Sequence, residues 1–196
     1  MKTITTRDWD AGAGKERRHE QVQFSSLDLC ETDLEGIEFD GCVFRDTRFN
    51  CSRQVDVAYL NCRFVNCNFF DASFTNCKTL GSTFDACTFD LTVVDGGDWS
   101  FVSLPRADLG TATFTGTRMR EADLTGARCR NGTMRGLDLS AAQLTGADFT
   151  GCDLRGTDLH AFDPRTVELK DAVITAEQAV ILAMAMGLQV RQAGYG

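Results

Sequence analysis

The stretch NCRFVNCNFFDASFTNC, residues 61–77, holds Cys62, Cys67 and Cys77, and Cys87 follows ten residues on. Thiols this dense serve three kinds of chemistry: they ligate a metal, form a disulfide framework, or cycle between thiol and disulfide. Structural zinc sites take ligand pairs two to four residues apart from converging loops; the spacings here are fives and tens. The chain has nine cysteines, an odd number that cannot pair completely within one molecule. Its first 21 residues lack the apolar core of a secretory signal, and no run approaches the roughly 20 apolar residues that cross a bilayer. A cytoplasmic location and reduced thiols are therefore expected.

Other chemistry-bearing residues are no more suggestive of a site. His19 and His160 are isolated in sequence. Asp123, Asp138, Asp148, Asp153 and Asp158 recur as regular surface positions, unlike a catalytic dyad, and are expected to solvate corners. Gly126, Gly136, Gly146 and Gly156 fall where a chain would turn and do not precede a helix as a phosphate loop would. No catalytic, cofactor or metal site is expected, and the chain is read as a non-enzyme.

The element that positions these residues has a period of five. Stepping by five from Phe24 gives Leu29, Leu34, Phe39, Phe44 and Phe49, and the series runs unbroken to Leu159, with only Gln54 and Thr79 plainly polar. Two residues before each of these large centres stands a small one, such as Cys42, Cys62, Cys67, Ala72, Cys77, Cys87, Ala112, Ala122 and Cys152. No charge occupies either position between residues 22 and 159. Helices repeat at 3.6 and strands at 2. Two inward residues in every five instead suit a chain that turns a corner every five residues, so that four sides close a square coil of 20. Coils stacked at strand spacing, about 4.8 Å, contact only their neighbours and fill their own interior. Roughly seven of them make a rod on the order of 34 Å long. The cysteines become small apolar core residues. Cys42 and Cys62, like Cys67 and Cys87, fall one coil apart, within reach of a disulfide by spacing, and the reducing compartment argues against one.

The stretches EADLTGARC, TGADFTGCDLRGTDL and FDACTFD resemble the pentapeptide-repeat family, whose commonest quintet is A(D/N)LXX, over about residues 22–175. The resemblance implies an all-β solenoid, the right-handed quadrilateral β-helix, here with a C-terminal α-helix. Within the family, the unbroken register, LTVVDGGDWSFVSL and FDPRTVELKDAVITAEQAVILAMAMGL are similar to the mycobacterial fluoroquinolone-resistance proteins of the MfpA type and, more distantly, to Qnr proteins. That likeness implies an end-to-end dimeric rod that resembles B-form DNA, binds and modulates DNA gyrase and protects it from fluoroquinolones. Qnr-type proteins also use projecting loops, and no loop interrupts the repeats here.

Three segments follow. Residues 1–21 are read as a mobile N-terminal extension, residues 22–174 as the β-helix, and residues 175–196 as a capping and dimerisation helix with a tail. Thr175 and Gln178 have capping-box spacing, and Gly187 suits a helix stop. One face of this helix can seal the solenoid, leaving Val180, Ile181, Leu182, Met184 and Met186 as the expected dimer interface.

The net charge of −8 argues against direct binding of nucleic acid. Sorted around the coil, residues 22–161 give one neutral side and three of −3, −2 and −3. Asp90, Asp95, Asp98, Asp108, Asp138, Asp148 and Asp158 are the candidate gyrase contacts. The alternative is a structural protein-interaction scaffold with no topoisomerase target, for which exposed Phe70, Leu80, Leu91 and Phe101 would mark the interface.

Overall fold

The computed structural model describes residues 2–10 and 12–191. From Val22 onward the chain is a four-sided parallel solenoid. Each residue lies beside the one twenty positions on: Phe24 beside Phe44, Phe44 beside Phe64, Phe64 beside Phe84. Every centre from Phe24 to Leu159 is buried, as are most of the small positions two residues earlier. The five-residue pattern therefore sets both the coil and its filling.

The sides differ in backbone. One is a five-stranded sheet, Lys2–Ile4, Val22–Ser25, Val43–Arg45, Arg63–Val65 and Thr83–Asp85. A second is held by single bridges, among them Asp28 with Arg48 and Arg128 with Asp148. The third is a six-stranded sheet of Asp33–Glu35, Arg53–Val55, Ser73–Thr75, Val93–Asp95, Thr113–Thr115 and Thr133–Arg135. The fourth begins as Arg18–Glu20, Glu38–Asp40 and Ala58–Leu60 and continues as bridges. The corners need positive φ, which glycine adopts without strain and Asn and Asp tolerate; Gly126 and Gly156 lie at +66° and +77°, Asn66 and Asp71 at +54° and +53°.

Aromatic rings stack along the axis. Phe24, Phe44, Phe64 and Phe84 form a column with centroid separations of 4.7, 4.9 and 4.5 Å, the coil spacing. Adjacent columns meet edge to face, as Tyr59 does Phe64, the arrangement that ring quadrupoles favour. The polar centre Gln54 is fully buried, and its side-chain carbonyl accepts the Tyr59 hydroxyl at 2.7 Å. A hydrogen bond thus offsets the desolvation of both groups.

The N-terminal segment departs from expectation. Instead of standing apart as a mobile extension, residues 2–10 and 12–21 complete a further coil. Lys2–Ile4 pairs with Val22–Phe24, and Arg18–Glu20 with Glu38–Asp40. Ile4, Trp9 and His19 take centre positions and are buried. Gly14 stands at the fourth centre, where the Trp9 indole supplies the missing bulk; a Cβ on Gly14 would lie 2.7 Å from that ring. The physical reason is that the first coil would otherwise expose core and unpaired backbone.

At the other end Thr175 caps the helix Ala176–Ala185. Its hydroxyl accepts the Gln178 N–H at 3.3 Å, and the Gln178 side chain accepts the Thr175 N–H at 2.8 Å. The Gln178 amide also donates to the Leu154 and Thr157 carbonyls, both at 2.7 Å, closing the last coil. Residues 192–196 of the expected C-terminal segment lie outside the described residues.

Candidate functional site: an acidic face on the solenoid

The cysteines lie within the lattice. Cys42, Cys62, Cys67, Cys77, Cys129 and Cys152 are buried, and the thiols of the first four point to backbone carbonyls, Cys62 Sγ lying 3.3 Å from the Phe39 oxygen. Burial pushes Cys77 up to about 11 and Cys152 up to about 12. A thiol held protonated is a poor nucleophile and a poor ligand. Among the described residues no three His, Cys, Asp or Glu are disposed to hold a metal ion.

The aspartates just before the centres do more than solvate corners. Asp98, Asp108, Asp138, Asp148 and Asp158 each accept, through Oδ1, the backbone N–H two residues on, at 3.0–3.3 Å. Such a bond satisfies an amide at the turn that would otherwise lack a partner. Each also has a cationic or ionisable neighbour. Asp98 pairs with Arg118 and Asp108 with Arg128, both at 3.0 Å, and Asp138 with Arg120 at 3.7 Å; Asp148 pairs with Arg130 and Asp158 with His160. Burial opposes the charge of Asp98, but the Ser100 hydroxyl and N–H with Arg118 outweigh it and hold the carboxyl below its ordinary range. Asp148 behaves likewise with Thr150 and Arg130. Five of the seven candidate contacts are thus turn-forming residues with a neighbour already in place.

Asp90 and Asp95 differ. Neither makes an ion pair among the described residues, and both are exposed. They share a surface with Glu31, Asp33, Glu35, Asp56 and Asp71, also exposed, on the N-terminal part of the six-stranded sheet and its two corners. Arg53 lies among them, and Lys15 and Arg17 of the first coil flank Asp33 and Glu35 at one end, where Arg17 donates to the Glu35 carbonyl. Seven carboxylates against three cations make an acidic face.

The sequence did carry a signal for this division, along the rod rather than around it. Residues 22–99 hold thirteen acidic and five basic residues, a net of −8; residues 100–175 hold ten and nine, a net of −1. An arginine twenty positions from an aspartate stacks beside it, as Arg118 does on Asp98 and Arg128 on Asp108. Summing each side over its full length averages the two halves and hides the contrast.

The coil of twenty, the filled interior and the paired corners decide the architecture. The fold is the pentapeptide-repeat β-helix. Residues 100–128 and 122–160 match the family model of pentapeptide repeats, in 8 copies. Among solved structures, full-length QnrB1, described as a plasmid-mediated fluoroquinolone resistance protein, is similar with a TM-score of 0.54 and 22% identity over 95% of each chain. A trypsin-treated variant of QnrB1 is similar with a TM-score of 0.53 and 22% identity, over 89% of this chain and 90% of that one. No curated protein sequence matches the chain. In this β-helix the matched repeats include Asp108, Asp138, Asp148 and Asp158, four of the five aspartates with turn bonds, while the N-terminal coils, rich in Phe and Cys, bear the acidic face.

Proposed function

We propose that the chain is a non-enzymatic, cytoplasmic regulator of DNA gyrase that offers the enzyme a rod with duplex-like charge and protects it from fluoroquinolones. The acidic face carries this reading: Glu31, Asp33, Glu35, Asp56, Asp71, Asp90 and Asp95 form no ion pair among the described residues and stand on a rigid surface of coils about 4.8 Å apart. A duplex carries one charge per roughly 1.7 Å, so mimicry rests here on the placing of carboxylates more than on total charge. The likeness to QnrB1, described as a fluoroquinolone resistance protein, supports the direction, as does the resemblance to MfpA-type proteins. Among the described residues no helix is long and apolar enough to cross a membrane. The test is a gyrase supercoiling assay with purified chain, with and without a fluoroquinolone. A change in supercoiling or in drug sensitivity that vanishes when Asp33, Glu35, Asp71 and Asp95 are replaced by Lys supports the proposal; no effect at any concentration refutes it.

The dimer belongs to the same reading. Val180, Met184 and Met186 point outward from the C-terminal helix at 39%, 62% and 63% exposure, while Ile181 and Leu182 pack partly against the core. The outward residues, with exposed Leu188 and Val190, would form a self-complementary patch on a two-fold axis. Ile181 and Leu182 would support that patch from below. Sedimentation at one chain's mass at micromolar concentration would refute the dimer.

A scaffold without a topoisomerase target is the second reading. Phe70, Leu80, Leu91 and Phe101 are exposed, and they sit on diagonally opposite corners of the rod. An unaffected gyrase would favour this reading.

A further inference from the structure

Among the described residues the ladder between coils loses successive bonds at two places: at Leu139–Leu144, near the C-terminal end, and at Ala86–Leu91, in the middle of the rod. In the intact pattern Asn66, Phe69 and Asp71 donate their N–H groups to Asp85, Thr88 and Asp90 of the next coil, and Thr88 donates back to Cys67. Their equivalents one coil further are Ala86, Phe89, Leu91 and Asp108. Among the described residues none of these four makes the corresponding bond; the Leu91 N–H turns instead to the Thr111 hydroxyl at 3.1 Å. The bridge that would join Thr88 to Asp108 is missing from a column that is bridged on either side of it.

Pro105 accounts for the break in the middle of the rod. It stands in the register where an N–H would meet the Phe84 carbonyl, and proline has none to offer. The five-stranded sheet accordingly ends at Thr83–Asp85. Across the rod the same two coils stay laced, Gly96 to Thr115, Trp99 to Arg118 and Phe101 to Arg120 at 2.7–2.8 Å. The opening is therefore a wedge at one corner. It holds a cleft of about 710 Å³ that adjoins a second of about 420 Å³, sharing Phe84, Ala86, Pro105 and Arg106, a size typical of ligand clefts.

Backbone groups left unpaired need a partner. One lip of the slit offers the N–H groups of Ala86 and Phe89 and the carbonyl of Cys87; the other offers the N–H and carbonyl of Asp108 and the carbonyl of Pro105. Donors and acceptors in this number and alternation complement one extended peptide backbone, which pairs with exposed strand edges in the same way. Side chains add a preference. Arg63 and Arg128 have Asp85 and Asp108 beside them, at 3.7 and 3.0 Å, whereas Arg106, which lines both clefts, makes no ion pair among the described residues.

We propose that this slit is a binding site for an extended peptide segment of a partner protein, taken through its backbone by Ala86, Cys87, Phe89, Pro105 and Asp108 and held by an acidic side chain on Arg106. The site meets the acidic face only at Asp90, which lines the second cleft, and does not rest on the gyrase reading.

Amide exchange followed by NMR on the full chain tests it. The amides of Ala86, Phe89 and Asp108 should exchange more than about tenfold faster than those of Asn66, Phe69 and Thr88. The probe is the blocked peptide Ac-Thr-Val-Glu-Val-Thr-NH2 at millimolar concentration, which should slow those three amides, while the same peptide N-methylated at both valines should not. Arg106→Ala should weaken binding about tenfold, the scale of a charge-assisted hydrogen bond. Pro105→Thr, which restores the N–H, should close the ladder and abolish binding. The proposal is overturned if the three amides are already protected in the free chain, if the probe leaves them unchanged, if the methylated peptide works as well, or if either variant binds like the parent. The exchange comparison in the unaltered chain stands whatever the variants do.

Discussion

The two halves of the rod share one lattice and fill it differently. Between residues 22 and 99 the centres are mostly aromatic, and the stacked columns run through Phe24, Phe49 and their successors. Between residues 100 and 159 they are mostly Leu and Met, with Phe114 and Phe149 as the aromatic exceptions. Strands dominate the first half, while only Thr113–Thr115 and Thr133–Arg135 persist in the second. Charge divides at the same boundary, −8 against −1. The period decides the shape, and the residues placed on it decide separately how each half packs and what it shows to a partner. A solenoid makes this independence possible because each coil answers only to its neighbours.

The sharpest way to break the comparison is in the core. Phe64→Ala should destabilise by about 3–5 kcal/mol and Leu124→Ala by about 2–5, measured by chemical denaturation. If ring stacking favours the first half, Phe64→Ala costs more; equal losses would mean that the aromatic columns add nothing beyond bulk. The next effect is functional. Replacing Asp33, Glu35, Asp71 and Asp95 by Lys should abolish any action on gyrase, whereas Asp108, Asp138 and Asp148 changed to Asn should leave it within about twofold, less than the tenfold that corresponds to 1.4 kcal/mol. A loss confined to the second set would move the functional face to the C-terminal half.

A smaller effect separates the turn role of aspartate from its charge. Asp138→Ala should cost about 1 kcal/mol by removing the bond to the Ser140 N–H, and Asp138→Asn distinctly less because an amide oxygen still accepts it; melting curves of the two variants decide. The smallest effect concerns the first coil. Burial holds His19 below its ordinary value against the opposing pull of Glu16, with Lys2 adding to the lowering. A depressed histidine makes stability fully present above its unfolded value near 6.5 and progressively lost as pH falls through the lower folded value. Trp9 fluorescence should report the N-terminal coil loosening in mildly acidic solution before the rest of the rod, and His19→Phe should remove that dependence.

The regular coils were legible in the sequence because a centre and a small neighbour recur without insertion for 28 quintets. The first coil was not, for a physical reason. Gly14 leaves one lattice point empty and His19 puts a polar ring on another, so the pattern fails although Trp9 repairs the packing from the side. Asp90 and Asp95 were found by their outward position; their five acidic companions needed the three-dimensional corner that joins two sides. The turn role of Asp138 and its kin is a bond to the chain's own backbone, which surface patterning alone does not distinguish from solvation. Pro105 was visible as a proline inside the repeats, but its consequence depends on which carbonyl it faces twenty residues back.

A stack of coils has no intrinsic length: its last turn presents carbonyls and core to any strand that arrives, as the growing tip of a fibril does. The side-chain amide of Gln178, donated to the Leu154 and Thr157 carbonyls, occupies two acceptors of that template with a side chain in place of a strand. Removing the amide while keeping the helix, as Gln178→Met would, should free both carbonyls and favour end-on association, read as a rise in sedimenting mass with concentration.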